Sequence, residues 1–230
     1  MRAVLDLFFP ALCPRCDRSD GPGLCVACQA QLEVIMRPCP HCAAPRLGSS
    51  CEACQGKGLS GLSTITATWR YAGAMAEIIT AAKAGHDLAA CRALAQLLPE
   101  PGYPIDAVIP IPAAPGRNAG PKLPLELARQ AARVHHAPLL RILGLRALPA
   151  QQHALDAAAR QRNVSELFVC RRSAPQQVLL IDDILTSGAT LQAAAKALRT
   201  AGARVIHALC LARTPRGDDA RAADSSVAPV

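Results

Sequence analysis

The sequence contains few aromatic residues and no long uncharged apolar run. One tryptophan, two tyrosines and three phenylalanines are spread over 230 residues, so few side chains are present on which nucleic-acid bases could stack. No stretch of about 18 apolar residues lacks a charge, so we predict no membrane-spanning helix. The first residues, MRAVLDLFFPALCP, resemble the start of a signal peptide, but Asp6 interrupts them and no small-residue cleavage site precedes the first cysteines. We therefore expect a cytoplasmic chain.

Lysine and acidic residues are also scarce. The chain has 25 basic and 17 acidic residues, a net charge of +8, and all but four of the basic residues are arginine. Arginine suits phosphate and carboxylate groups because its guanidinium presents a planar fork of donors. The excess favours anionic partners such as nucleotides or nucleic acid. Genomic base bias would produce the same Ala- and Arg-rich composition, so the charge alone leaves both explanations open.

The composition changes near residue 58. Residues 1–58 are rich in Cys, Pro and Gly, and the chain that follows alternates predicted strands and helices. The strands are predicted in STITATWRYAG, PIDAVIPIP, VLLIDD and RVIHALCLAR, and the helices in AMAEIITAAK, LAACRALAQLLPE, PLELARQAARVHH and TLQAAAKALRTAG. Such alternation is typical of an α/β fold with a parallel sheet. We assign residues 1–58 to a cysteine-rich module, 59–214 to the α/β domain and 215–230 to a disordered polar tail.

Eight of the eleven cysteines form four CxxC pairs with a repeated spacing. Each unit consists of one CxxC, eight further residues and a second CxxC, and the unit occurs twice. Each CxxC places two thiolates on one tight turn, so two turns can complete a tetrahedral zinc site. The predicted ligands of two structural zinc ions are Cys13, Cys16, Cys25, Cys28, Cys39, Cys42, Cys51 and Cys54.

Other uses of these cysteines fit less well. Disulfides need an oxidising compartment, and a redox CxxC belongs at a strand–helix junction rather than in a loop-rich segment; an iron–sulfur cluster stays open. The spacing leaves undecided whether the pairs bind metal sequentially or interleave. His41, inside the third CxxC, is predicted to be exposed, and Cys91, Cys170 and Cys210 are predicted to be core residues.

The segment VLLIDDILTSGAT, residues 178–190, places two aspartates after a buried strand and before a loop of small residues. Ligands of open α/β sheets bind beyond the carboxyl ends of the strands, so Asp182 and Asp183 are candidates to bind the hydroxyls of a ribose. The loop opens a helix whose first N–H groups and dipole favour a phosphate. The predicted phosphate-binding residues are Thr186, Ser187, Gly188, Ala189 and Thr190.

The less favoured alternative for this segment is a plain strand–turn–helix with Asp183 as a cap. All thirteen residues together resemble the phosphoribosyl pyrophosphate (PRPP) signature of type I phosphoribosyltransferases. Over residues 8–214 the whole chain resembles the ComF family, which joins a double zinc ribbon to a phosphoribosyltransferase-like domain. The resemblance rests on the CxxC pairs, on Lys83 in AAKAGHDLAACRALAQLL, on DAVIPIP, on the segment 178–190, and on Gln152, Leu155, Arg160, Asn163, Val164 and Phe168. It implies an α/β phosphoribosyltransferase-like parallel-sheet domain behind an N-terminal zinc-ribbon module.

The resemblance also implies a chemistry. A nitrogen nucleophile would displace pyrophosphate from C1 of PRPP, with Mg²⁺ accompanying the PRPP, and Lys83, Arg117 and Lys122 could face the pyrophosphate. One departure affects this expectation: where the family usually has RGFNQ, this chain has Ala-Gly-Pro-Lys-Leu at 119–123, which lacks the arginine fork. The segment 152–163 is either a flexible loop over the site or an ordinary solvated helix.

A second hypothesis belongs to another class of function. The family name implies a link to natural competence, the uptake of single-stranded DNA. A non-catalytic nucleotide sensor or DNA-binding accessory protein could use the zinc ribbons, with Arg15, Arg18, Arg37 and Arg46 on phosphates. Under this hypothesis the expected partners are single-stranded DNA or proteins of the competence machinery.

Overall fold

The structure is a computed structural model that describes residues 12–18, 23–46, 48–85, 87–100, 102–112, 122–146 and 167–215. Several predictions lie outside these residues. They concern Arg117, the segment 152–163 and residues 216–230 of the tail. Among the described residues, no helix has the length and hydrophobicity needed to cross a membrane.

A parallel four-stranded sheet forms the centre of the α/β domain. Its strand order is β1-β6-β5-β2, with every neighbouring pair parallel. The strands are β1 (Thr64–Arg70), β2 (Ala107–Pro110), β5 (Gln177–Leu185) and β6 (Val205–Arg213). Strand β6 lies between β1 and β5, and its residues from Ile206 to Arg213 are all buried. A continuous apolar run is what a central parallel strand requires, because both of its faces are covered.

Helices cover the two faces of the sheet and divide the core into two. The helices are α1 (Val26–Gln29), α2 (Gly73–Ala84), α3 (Leu88–Ala95), α4 (Leu123–Val134) and α5 (Ala189–Thr200). The first core lies beneath α2, α3 and α4 and includes Leu179 and Ile181 of β5. The second lies beneath α5 and includes Val178 and Leu180. Alternate residues of β5 therefore enter opposite cores, as the two-residue period of a strand dictates.

A small antiparallel pair, β3 (Leu143–Leu145) and β4 (Phe168–Cys170), packs beside α5. The sequence pattern missed both strands because three residues are too few to show an alternation. Cys170 is half-buried within β4, whereas Cys91 and Cys210 are fully buried as predicted. Helix α3 ends at Ala95, before the predicted stop at Pro99.

The cysteine-rich module lies along the free edge of β1. The Ile35 N–H donates to the Thr68 carbonyl and the Arg70 N–H donates to the Glu33 carbonyl, both at 2.8 Å, and Val34 forms an antiparallel bridge with Trp69. These bonds occupy backbone groups that an uncovered edge strand would expose. The module thus continues the sheet by one short segment.

Candidate functional site

Strand β5 runs past the end of its neighbour β2. Pro110, the last residue of β2, pairs with Ile181, and the Ile111 N–H donates to the Ile181 carbonyl at 2.8 Å. On the other side β5 stays paired with β6 as far as Leu185, so the strand is longer than the predicted VLLIDD. Asp182 and Asp183 therefore lie beyond the end of β2 while their backbone stays fixed by β6, which is where ligands of parallel sheets bind.

The two carboxylates lie on opposite faces of the sheet. Asp183 is on the side of α2, where the Lys83 ammonium lies 2.6 Å from its Oδ2. Asp182 is in register with Cys210, whose side chain belongs to the second core. Successive residues of a strand point to opposite faces, so sequence adjacency here gives two different environments rather than one acidic patch.

Lys83 is placed by the last turn of α2. Ala82, next to it, is fully buried against the first core, and this fixes the helix over the sheet. The Asp183 side chain is only 14% exposed, so the ion pair is partly shielded from water. The Lys83 ammonium therefore lies at the end of β5, in a position where it could contact the phosphate of a ligand.

Asp182 holds its proton unusually strongly. Burial raises the pKa of Asp182 to about 7, and the neighbouring Asp183 charge acts in the same direction. A hydrogen bond from the Asp183 backbone N–H to Asp182 Oδ1, at 2.9 Å, opposes the shift only in part. Near neutral pH this carboxyl can therefore either donate a hydrogen bond or accept one.

The small-residue loop turns sharply into α5. Gly188 is the residue that caps the helix, and its φ of 82° lies in the left-handed region that favours glycine. The first turn of α5 begins immediately afterwards, so Ala189 and Thr190 present backbone N–H groups at the positive end of the helix dipole. Thr186 and Ser187 are exposed on the strand side of the turn. A helix start of this kind could bind an anion, although here the Ala189 N–H donates to Ser187 Oγ at 3.3 Å.

Leu59 packs on this loop, and sequence reasoning missed it. A Cβ at Gly188 would lie 2.2 Å from Leu59 Cδ1, so the leucine occupies the space that a side chain at 188 would need. Leu59 follows the last cysteine pair by only a few residues. Further along the same linker, the Gly61 carbonyl accepts a hydrogen bond from Arg199 Nε at 2.8 Å. A leucine in a glycine-rich linker gives no sequence signal of such a contact.

Two of the predicted cationic residues are not brought to the aspartates by the described structure. Lys122 immediately precedes α4 as its cap residue, and Arg117 lies outside the described residues. Among the predicted cations, Lys83 forms an ion pair with Asp183.

The cysteines form two separate groups of four, and each group uses consecutive CxxC pairs. Within a group all four Sγ atoms lie within 4.8 Å of one another. Cys16 and Cys25 are 3.6 Å apart at sulfur, as are Cys42 and Cys51. A zinc ion with bonds of about 2.3 Å to tetrahedral sulfurs separates them by about 3.8 Å, and no cysteine forms a disulfide. The pairing that the spacing left open is therefore sequential.

The close sulfur atoms of both groups form a donor set that suits a cation. Burial and the neighbouring thiols raise the pKa of Cys28 to about 12, and burial also raises the pKa of Cys42. Four close sulfurs can all be thiolates only around a positive ion. The donor set and its geometry fit zinc, so the two groups could hold two zinc ions. His41 is exposed and belongs to neither group.

The four arginines predicted to contact DNA have different surroundings. Arg15 bonds to Glu77 at 3.0 Å and to Gln31, which directs it to α2. Arg46 donates to backbone carbonyls of its own module, whereas Arg18 and Arg37 are exposed. The module therefore presents fewer available guanidinium groups than its sequence suggested.

Comparison with known proteins agrees with this geometry. The sequence model of the phosphoribosyl transferase domain family matches residues 171–228. Competence protein ComFC of Streptococcus pneumoniae (strain ATCC BAA-255 / R6) is 29% identical over 208 residues, which cover 85% of this chain and 90% of that protein. The chain is thus similar to a competence protein and carries a segment that matches the phosphoribosyl transferase domain family. The predicted resemblance and the predicted fold class are thereby confirmed, since the parallel sheet and two four-cysteine groups accompany these matches.

Two solved structures resemble this chain only loosely. The allosteric regulatory enzyme of purine biosynthesis aligns with a TM-score of 0.39 and 21% identity, covering 52% of this chain and 25% of that one. Purine phosphoribosyltransferase from Pyrococcus horikoshii Ot3 aligns with a TM-score of 0.32 and 16% identity, covering 48% of this chain and 62% of that one. The chain thus spans less than two thirds of either protein.

Proposed function

We propose that this ComF-type protein binds PRPP, or another ribose 5-phosphate compound, at the carboxyl end of β5. The observation that carries the proposal is the direct succession of Asp182, Asp183 and the Gly188 turn into α5. Two carboxylates that could bind sugar hydroxyls are followed, within five residues, by a helix start that could bind phosphate. We also propose that the cysteine-rich module ends at residue 58 and that the α/β domain ends at residue 214.

The two aspartates would have different roles in that complex. Asp182, with its pKa near neutrality, can donate to or accept from a ribose hydroxyl. Asp183 and Lys83 form a pair in which the ammonium can turn to the ligand's phosphate charge. Thr186, Ser187, Gly188, Ala189 and Thr190 would surround the 5-phosphate. Mg²⁺ bound with the pyrophosphate would offset its negative charge.

Transfer would follow if a nitrogen nucleophile reached C1 of the bound ribose. The C1–N bond forms, the C1–O bond breaks and pyrophosphate leaves with the electron pair. Lys83 is the described cation best placed to stabilise that charge. The family likeness to a competence protein supports the proposal that this activity, or binding alone, serves DNA uptake.

Calorimetric titration of PRPP with Mg²⁺ into the zinc-loaded protein tests the proposal. We expect binding to the wild type and none to the Asp182→Asn/Asp183→Asn variant. Asp106→Asn is the matched control, since Asp106 is exposed at the opposite end of the same sheet, where it accepts a hydrogen bond from the Gln177 N–H. A folded, zinc-replete wild type that binds no PRPP would refute the proposal.

A DNA-binding role is the second candidate, and exposed Arg18 and Arg37 are the observation that favours it. We expect binding of single-stranded DNA through these groups to weaken steeply with salt, because phosphate contacts release counterions. A DNA affinity that Arg18→Ala/Arg37→Ala leaves unchanged contradicts this role.

A further inference from the structure

The linker that follows the second four-cysteine group, residues 55–62, packs against that group. The Lys57 N–H donates to the carbonyl of Cys54, the last cysteine of the group, at 2.9 Å. A Cβ at Gly58 would lie 3.1 Å from the His41 Cβ and 3.3 Å from the His41 carbonyl oxygen. The linker backbone therefore lies directly on the third CxxC, and its path depends on the shape of the second group.

The same contact reaches the sulfur atoms of the group. The His41 N–H donates to Cys39 Sγ at 3.4 Å, so the residue on which Gly58 lies is bonded to a predicted zinc ligand. Burial raises the pKa of the Cys54 thiol, but hydrogen bonding from the Gly58 and Gly56 backbones outweighs it, and the pKa falls to about 7. Groups that bond to metal ligands orient those ligands, so the linker and the sulfurs hold each other in place.

Leu59, the residue after Gly58, contacts the small-residue loop. Its Cδ1 lies 2.2 Å from the position that a Cβ at Gly188 would take, and it is partly buried against the second core. The Gly188 carbonyl accepts a hydrogen bond from the Gln192 N–H at 3.0 Å, so Leu59 packs where the first turn of α5 begins. Two adjacent linker residues thus contact the second group and the loop.

The far end of the linker is fixed to the α/β domain. The Gly61 carbonyl accepts a hydrogen bond from Arg199 Nε of α5 at 2.8 Å, and the Ser63 N–H donates to the Ile206 carbonyl of β6 at 2.8 Å. These bonds do not involve the cysteine-rich module. A displacement of the second group would therefore act on the part of the linker before them, which is the part that carries Leu59.

The second group has almost no core apart from its own predicted zinc ligands. Three of the four residues buried together there are cysteines: the set is Cys39, Cys42, Ala44 and Cys51. A segment that buries so little apolar surface takes its folding free energy from the bound metal. Loss of zinc from this group should therefore release the contact between His41 and Gly58.

We propose that zinc in the second four-cysteine group controls ligand binding at the small-residue loop, through His41, Gly58 and Leu59. This inference rests on the proposed function, because the ligand is PRPP with Mg²⁺. With zinc bound, Leu59 is held against Gly188 and the loop is ordered before the ligand arrives. Linkage makes the effect reciprocal, so PRPP raises the affinity of the second group for zinc by the same factor.

Amide hydrogen exchange of the ligand-free, zinc-loaded full chain tests the contact itself. We expect Cys54→Ser, which removes a ligand of the second group, to speed exchange of the Gln192 amide about fivefold, the lower end of the usual coupling between sites. Exchange within α2, residues 73–84, should stay as in the wild type. Cys16→Ser is the matched control, because the first group belongs to the core beneath α2, and it should speed exchange in α2 instead.

Leu59→Ala tests the same contact in a protein that keeps both zinc ions. It should also speed exchange of the Gln192 amide, whereas Leu62→Ala should not. An equal increase in α2 and at Gln192 in Cys54→Ser, or no increase in Leu59→Ala, overturns the proposal.

Competition with a zinc chelator at equilibrium measures the reciprocal effect. We expect saturating PRPP with Mg²⁺ to raise the affinity for one of the two zinc ions about fivefold in the wild type and in Leu62→Ala, and less than about twofold in Leu59→Ala. The Asp182→Asn/Asp183→Asn variant, which should not bind PRPP, corrects for zinc bound by free PRPP.

The outcomes separate this inference from the proposed function. A zinc-loaded wild type that binds no PRPP overturns both. PRPP binding that leaves the zinc affinity unchanged, or a full effect of PRPP in Leu59→Ala, overturns the inference alone.

Discussion

The two four-cysteine groups have the same spacing but different surroundings. Cys13, Cys25 and Cys28 of the first group belong to the core beneath α2, α3 and α4. The second group forms a small core of its own, in which Cys39, Cys42 and Cys51 accompany Ala44. It is joined to the sheet by the Ile65 N–H, which donates to the Pro40 carbonyl at 2.7 Å, by Ala43, which is buried in the second core, and by the linker that carries Leu59. Identical metal-binding spacing therefore accompanies the first core in one case and, in the other, a linker whose Leu59 packs on the small-residue loop at Gly188.

The largest difference between the two four-cysteine groups should appear when one cysteine is replaced in each group in turn. We expect Cys28→Ser to lower the midpoint of thermal unfolding by at least about 10 °C, using about 2–4 °C per kcal/mol for a chain of this size, because a core thiolate site is lost. Cys42→Ser should lower it by about half as much. Scanning calorimetry, with zinc content measured in parallel, distinguishes the two. Equal decreases would show that both groups support the fold alike.

Substitution of Gly188 in the small-residue loop should have the next largest effect. We expect Gly188→Ala to weaken PRPP binding at least about 30-fold, because the residue has a positive φ and its Cβ would overlap Leu59. Gly56→Ala, also at positive φ but with open space around its Cβ, is the control for backbone strain alone.

The double variant Leu59→Ala/Gly188→Ala refines this experiment. It should recover part of the affinity, since the side-chain overlap is relieved while the strained φ stays. If the double variant binds PRPP no better than Gly188→Ala, the overlap with Leu59 is not the cause of the loss. PRPP titration calorimetry is the measurement in each case.

Much of this architecture is readable from the sequence. The apolar strand before Asp182, the loop of small residues and the paired CxxC units are local patterns, and each predicts its own element. The opposite faces of Asp182 and Asp183 also follow from strand periodicity. The contact between Leu59 and Gly188, which are 129 positions apart, does not, because packing between distant segments leaves no periodic trace. A cavity beside the end of β2 is similarly assembled from four separate segments, at residues 110–112, 122–125, 141–145 and 171.

The stability of the folded protein should depend on pH even when both four-cysteine groups are intact. The pKa of Asp182 rises from its ordinary 3.8 to about 7 in the folded protein, so the folded state binds this proton more tightly than the unfolded chain does. Stability of the ligand-free protein should then fall as pH rises from about 4 to about 7. Asp182→Asn removes this dependence.

Urea unfolding at pH 5.5 and pH 8 measures the difference. The free energy of unfolding of Asp182→Asn, relative to wild type, should be larger at pH 8 than at pH 5.5. Zinc content at both pH values serves as the control, because thiolate ligands also bind protons. A difference that is the same at both pH values contradicts the expected titration.

The smallest effect should come from Leu59→Ala. We expect PRPP affinity to fall about threefold, equivalent to less than 1 kcal/mol, because the loop loses one packing contact but keeps its backbone. Zinc content should be unchanged. Leu62→Ala, in the same linker and packed on the same core, is the control. We expect Leu62→Ala to leave PRPP affinity unchanged. If Leu59→Ala also binds PRPP as the wild type does, Leu59 does not position the loop.

The short pairing of residues 33–35 with β1 has a practical consequence. A fragment that begins near residue 59 would leave the outer edge of β1 without hydrogen-bonding partners. Such an edge is a template for strands of other molecules, so the isolated α/β half should self-associate when produced alone. The cysteine-rich segment therefore covers an edge through which the α/β half would otherwise aggregate, and biochemical experiments on this half should use the full-length chain.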